Sequence, residues 1–123
     1  MLQTKDFNEL YNLSHRLSGY QRSELDRQYD SIDNNNKRSI AILVDDGIYF
    51  VSIEGAYNAE TNSLVFRAFI FEDICNQWIS PGGWYIYLSE SEASDFLRRS
   101  GETTFASFEY SDWVKYFSGG NVK

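Results

Sequence analysis

Residues 39–71, SIAILVDDGIYFVSIEGAYNAETNSLVFRAFIF, form the densest apolar stretch of the chain, broken twice by turn residues. Asp46-Gly47 is the first break. Asp-Gly is favoured in two-residue type I′ hairpins because both central positions need positive φ. A loop of those two residues sets Asp45 opposite Ile48, Val44 opposite Tyr49, Ile42 opposite Val51 and Ile40 opposite Ile53. Successive side chains alternate between sheet faces, so these apolar residues then share one face. The second break runs from Asn58 to Ser63. A four-residue loop over 59–62, with Asn62 in the left-handed region, sets Asn58 opposite Ser63, Tyr57 opposite Leu64, Gly55 opposite Phe66, Ile53 opposite Ala68 and Val51 opposite Ile70. Glu54 falls opposite Arg67 on the other face, a cross-strand charge pair. The Phe66 ring covers the gap at Gly55.

This three-stranded meander predicts a core face of Ile40, Ile42, Val44, Tyr49, Val51, Ile53, Tyr57, Leu64, Phe66, Ala68 and Ile70. The opposite face carries Ala41, Leu43, Phe50, Val65, Phe69 and Phe71, interrupted by Ser52, Glu54 and Arg67. It is too apolar for plain solvation and too polar for an ordinary core. Either another element of the chain covers it or a partner does.

On the N-terminal side, Thr4 or Asp6 can cap a helix, with Glu9 completing a capping box after Asp6. Phe7, Leu10, Tyr11 and Leu17 recur at helical spacing and Gly19 offers the stop. A second, weaker helix spans about Gln21 to Tyr29, with Leu25, Tyr29 and Ile32 as its apolar contacts. The segment 31–39, with Asn34-Asn35-Asn36, reads as a polar loop. On the C-terminal side, residues 72–79 are ambiguous between a short helix and a strand, because short apolar runs are not settled by periodicity. Ser80-Pro81-Gly82-Gly83 is a turn, and Trp84–Leu88 a strand with Trp84, Ile86 and Leu88 on one face and Tyr85 and Tyr87 on the other. Ser89 caps a clear helix with Glu92 as its box partner, Arg98 and Arg99 in the last turn and Gly101 as the stop. Ala93, Phe96 and Leu97 are its buried face. Thr103–Glu109 reads as a fifth strand, and Ser111 caps a short terminal helix through Phe117. The order predicts one α+β domain over 1–123: a mainly antiparallel sheet built on the meander, with N-terminal and C-terminal helices packed on it.

A chain of 123 residues, 42% hydrophobic and 17% aromatic, is long enough for a core without staples. No stretch has the length and hydropathy of a membrane span, and Met1–Phe7 lacks the basic and apolar segments of a signal peptide. One cysteine, Cys75, excludes an intrachain disulfide and fits a reducing, cytoplasmic compartment. The net charge of −7 is concentrated in residues 72–123, where eight acidic residues face four basic ones. Direct contact with nucleic-acid phosphates is disfavoured without a basic stripe. A basic protein partner is electrostatically favoured, although the same charge also serves solubility.

Catalytic chemistry finds little support. His15 is the sole histidine, so a nucleophile–histidine dyad would have to use it, and no spacing ties it to Cys75 or a serine. A zinc site needs three or four His or Cys ligands that the chain lacks. Asp45-Asp46 and Glu72-Asp73 could serve as acid and base or hold a hard cation, yet turn and cap chemistry already accounts for them. No catalytic residue, metal ligand or cofactor site is expected. The conspicuous feature is aromatic: Trp78, Trp84, Tyr85, Tyr87, Phe105, Phe108, Tyr110, Trp113, Tyr116 and Phe117 gather near the acidic end. About half belong to a core. Tyr and Trp beside acidic groups are also the types enriched at partner surfaces, so Trp84, Tyr85, Tyr87, Trp113, Tyr116, Glu109, Asp112, Phe50 and Phe69 are the candidate partner-binding residues.

These observations point to a small acidic, non-enzymatic binding protein that neutralises a basic or nucleic-acid-binding protein, in the manner of toxin-immunity proteins or phage and plasmid anti-defence proteins; the likeness is one of physical type. The pattern over Ser39–Phe71 also resembles the small acidic chaperones of type III secretion, which implies a homodimer as the alternative. The short terminal helix departs from the long one such chaperones carry.

Overall fold

A computed structural model of the chain describes residues 2–45, 49–72, 82–101 and 103–118. Its centre is a four-stranded antiparallel meander in the order β1-β2-β3-β4, formed by β1 (Lys37–Asp45), β2 (Tyr49–Asn58), β3 (Ser63–Glu72) and β4 (Gly82–Leu88). The meander therefore has four strands, not three. β4 joins because its Ile86 and Leu88 sit opposite Ala68 and Phe66 and extend the same apolar face. Of residues 72–79, whose helix or strand character the sequence leaves open, Glu72 ends β3 and 73–79 lie outside the described residues.

The β2–β3 register follows the expected one pair for pair, from Asn58 with Ser63 to Val51 with Ile70, including Glu54 with Arg67. Asn62, at the end of the loop, takes φ of 51°, the left-handed turn conformation that asparagine tolerates. The β1–β2 register agrees only at its start, where Ser39 faces Glu54. A bulge at Ile40 then shifts the ladder by one residue: Ala41 faces Ile53, Leu43 faces Val51, and Asp45 faces Tyr49 instead of Ile48. A bulge places two residues of one strand against one of the other, which reassigns every position beyond it. Ile42 consequently stands opposite Ser52, not Val51. The Asp46-Gly47 turn lies outside the described residues, as do the side chains of Ile42, Val44 and Tyr49.

One sheet face forms the main core. Ile40, Val51, Ile53, Phe66, Ala68, Ile70, Ile86 and Leu88 pack there against Leu2 and Leu10, against Ala93, Phe96 and Leu97, and against Trp113 and Phe117. Tyr57 and Leu64 flank it, half-buried. Each large side chain fully buried in this way stabilises the fold by roughly 1.5–3 kcal/mol. The helices that supply these residues are α1 (Thr4–Leu13), α3 (Glu90–Arg99) and α5 (Tyr110–Phe117). Arg99 ties α3 to α1, with Nη1 2.8 Å from the buried Asp6 carboxylate and 2.6 Å from Glu9. The other face is covered in part by α2 (Gly19–Ser31), whose Tyr29 joins Ile32, Ala56 and Tyr87 in a second cluster edged by Leu25, Val65 and Tyr85. The sheet is thus a middle layer, and the polar-apolar face is covered by the chain itself over this half.

Several local expectations are corrected. Gly19 does not stop α1 but opens α2, because Ser18 and Gln21 form a reciprocal capping box there. The N-caps of α1 and α5 are Gln3 and Glu109, each boxed with an aspartate three residues on, and not Thr4, Asp6 or Ser111. Thr103–Glu109 is not a strand: Thr103–Ala106 is a four-residue helix, α4, held by Phe105 and Phe108 against the Trp113 ring at 5.8 and 4.9 Å between centroids. The Ser89–Glu92 box of α3 is present, and Gly101 after it takes φ of 89°. Among the described residues no helix is long and apolar enough to cross a membrane.

Candidate functional site

Two surface features have the shape and charge to act. The first lies where the second sheet face emerges from under α2. Arg67 is buried there, 7% exposed, with its guanidinium between the rings of Tyr29 and Tyr85 at 3.5 and 3.6 Å from their centroids. Its Nε donates to Glu54 at 3.0 Å. Burial works against the Arg67 charge, but hydrogen bonding to the Tyr87 hydroxyl and the neighbouring Tyr29 and Glu54 more than offset it, so the group stays a cation. Tyr87 donates in turn to Asp26 of α2. Burial, and next the Glu54 carboxylate, push the Tyr29 phenol up to about 12. Burial and the bond to Asp26 likewise push Tyr87 above the usual phenol range. A cleft of about 320 Å³ opens beside Arg67, edged by Asn34, Lys37 and Ser39.

The second feature is an open groove of about 680 Å³ between α3 and the segment that runs from α4 into α5. Glu90, Ser91 and Ser94 line one wall, Phe108, Glu109 and Tyr110 the other. The cation in it, Arg98, is held by Asp95 at 2.7 Å. That bond first, and then Arg99, keep the Asp95 carboxyl below its usual range against the opposing effect of burial. Among the described residues no basic group pairs with Glu90 or Glu109. The groove therefore presents uncompensated negative charge beside an exposed tyrosine, Tyr110.

Apart from Phe50 and Trp84, the candidate residues fall into three places. Tyr85 and Phe69 are half-buried on the second face with ring centroids 4.9 Å apart, and Tyr87 is buried beside them. Trp113 is fully buried in the main core, stacked between Phe105 and Phe117, so it holds the fold and offers no surface. Glu109, Asp112 and Tyr116 lie on α5 and its cap: the Glu109 amide donates to the Asp112 carboxylate at 2.9 Å, and Tyr116 packs on Phe105 with Arg38 at 5.1 Å over its ring. Phe50 and Trp84 occupy register positions opposite Phe71 and Ile70, with side chains outside the described residues. The groove residues Glu90, Ser91, Ser94, Phe108 and Tyr110 lie outside the sequence-derived candidates; they come from two neighbouring segments that meet because α4 packs against α3. The Arg67 cleft was half legible, through the Glu54–Arg67 pair. Among the described residues no cluster of His, Cys, Asp and Glu is placed to hold a metal ion. No protein-family model, curated protein or solved structure matches the chain.

Proposed function

We propose that the chain is a binding protein, not an enzyme, that neutralises a basic protein partner, and that it takes a lysine- or arginine-rich segment of that partner in the α3–α5 groove. The observation that carries this reading is the pairing of two carboxylates with no basic partner among the described residues, Glu90 and Glu109, with an aromatic wall of Phe108 and Tyr110. Carboxylates at the rim steer and select a cation, and an aromatic face adds cation–π attraction. The net charge of −7 acts in the same direction over the whole surface. Immunity to a nucleic-acid-degrading toxin, or blockade of a host defence protein, are cytoplasmic roles of this physical type.

The test is titration of the ¹⁵N-labelled chain with an arginine-rich peptide. Saturable shifts centred on Ser91, Ser94 and Tyr110, with affinity about tenfold weaker in the Glu90→Gln, Glu109→Gln double variant, support the reading. Shifts spread evenly over the acidic surface, with the variant unchanged, would remove it. A dimeric acidic chaperone is the second reading, favoured by β1 being an edge strand of the sheet. A monomer by light scattering eliminates it.

A further inference from the structure

The cleft beside Arg67 has the opposite electrostatic character to the groove. Arg67 is the only buried cation among the described residues. Its plane is fixed by two tyrosine rings and its Nε by Glu54. A guanidinium carries five N–H donors, so Glu54 and the Tyr87 hydroxyl together do not exhaust it. Lys37 stands at the rim, its Nζ 5.1 Å from the Tyr29 ring centroid and 3.4 Å from the Asp30 carbonyl oxygen. Asn34 and Ser39 add neutral polar groups to the same wall. Arg38 lines the cleft too, so three cations, Lys37, Arg38 and Arg67, meet a single carboxylate, Glu54, inside a chain whose net charge is −7.

Packing alone does not call for this arrangement. A buried ion pair is often no more stabilising than apolar residues of the same volume, and the sheet face around Arg67 is otherwise built from Ala56, Val65, Tyr85 and Tyr87. A guanidinium held rigid at a cleft wall that an ammonium also lines can receive an oxyanion by charge-assisted hydrogen bonds. The volume of about 320 Å³ admits a phosphate or carboxylate with a short carrier.

We propose that this cleft is an oxyanion-binding site, taking a phosphate or carboxylate group between Arg67 and Lys37, independently of the acidic groove. Glu54 tempers the site, since it presents the one like charge to the ligand, and this gives the proposal a signature of two opposite signs.

The experiment titrates the ¹⁵N-labelled full chain with inorganic phosphate and, separately, with sodium acetate, against sodium chloride at matched ionic strength. The expected result is saturable shifts confined to Asn34, Lys37, Ser39, Glu54 and Arg67; the tighter of the two anions identifies the class of oxyanion. Lys37→Ala should weaken binding about tenfold, and Glu54→Gln, which keeps an acceptor for Arg67 while removing the like charge, should tighten it several-fold. Absence of saturation with both anions overturns the site, as do equal shifts in chloride or affinities unchanged in natively folded variants. If one variant loses the native spectrum, the other decides alone.

Discussion

Glu54 and Arg67 face each other across the β2–β3 ladder, Oε1 to Nε 3.0 Å, and the guanidinium is roofed and floored by Tyr29 and Tyr85. Removing Glu54 by substitution to alanine leaves a buried charge with its ring contacts but no counter-ion. Because Glu54 is about a quarter exposed, water recovers part of the loss, and we expect destabilisation of about 1–2 kcal/mol where a fully buried pair would lose more. Arg67→Ala should cost about 2–3 kcal/mol, since it also strips the rings of their shared partner. Urea unfolding of both variants checks the order; equal stability of Arg67→Ala and the parent would refute it.

Gly55 has no room for a methyl group. A Cβ there would stand 2.4 Å from Phe117 Cζ and 3.0 Å from Phe66 Cε1, and Phe117 is locked against Trp113 and Tyr116. Gly55→Ala is therefore expected to lose about 1–3 kcal/mol by overpacking. Adding Phe117→Leu should recover part of the loss, a non-additivity that a double-mutant cycle reads directly.

Two arginines from outside the sheet reach the edge strand. Arg16 donates to the Tyr87 carbonyl as well as to Glu92, and Arg22 donates to the Tyr85 carbonyl at 3.0 Å. Exposed strand edges invite pairing with other chains. Arg16→Ala with Arg22→Ala should lower stability by about 1 kcal/mol per site and promote concentration-dependent self-association, measured by sedimentation velocity. A double variant that stays monodisperse at millimolar concentration would show that these contacts do not protect the edge.

Stability should fall at both ends of the pH range, for opposite reasons. Arg98, and then Arg99, hold Asp95 below its usual range. Burial opposes ionisation of Glu92, but Arg16 and the Ser89 amide still bring its carboxyl below normal. Groups depressed in the folded state stabilise it above their unfolded pKa, near 4, and that contribution disappears as pH falls through the folded values. Tyr29 and Tyr87 are raised, so their contribution is complete below the unfolded phenol pKa of about 10 and is lost as pH climbs through about 12 for Tyr29. Thermal melts across pH 2–12, with phenolate absorbance at 295 nm on the alkaline side, should show the alkaline loss coinciding with ionisation of these tyrosines. Tyr29→Phe should reduce it.

The β2–β3 register follows from the residue pattern and most of the β1–β2 register does not, for a definite reason. Between β2 and β3 each strand carries one charged residue within its apolar run, Glu54 and Arg67, so a slip of one would part the ion pair; the Asn62 turn then agrees with that pairing. In β1, residues 40–44 are apolar throughout, so a one-residue shift violates no pattern and the bulge at Ile40 left no mark in composition. The helix starts are written in the spacings Gln3 to Asp6, Ser18 to Gln21 and Glu109 to Asp112. The Thr103–Glu109 segment, rich in β-branched and aromatic residues, became a turn of helix because Phe105 and Phe108 gain more against Trp113 than isolated strand propensity offers.

By itself the sequence determined the class of fold, the β2–β3 pairing, the Glu54–Arg67 neighbours and the two-ended capping of α3. Each follows from short-range rules: alternation, turn conformation and hydrogen bonds within a few residues. Only the tertiary structure decided which aromatics are core and which face solvent, that Trp113 lies inside while Tyr110 borders an acidic groove, and that Tyr29 and Tyr85 close over Arg67. Those outcomes depend on contacts between residues tens of positions apart, where a tyrosine or tryptophan satisfies either a core or a surface and only the packed neighbours choose between them.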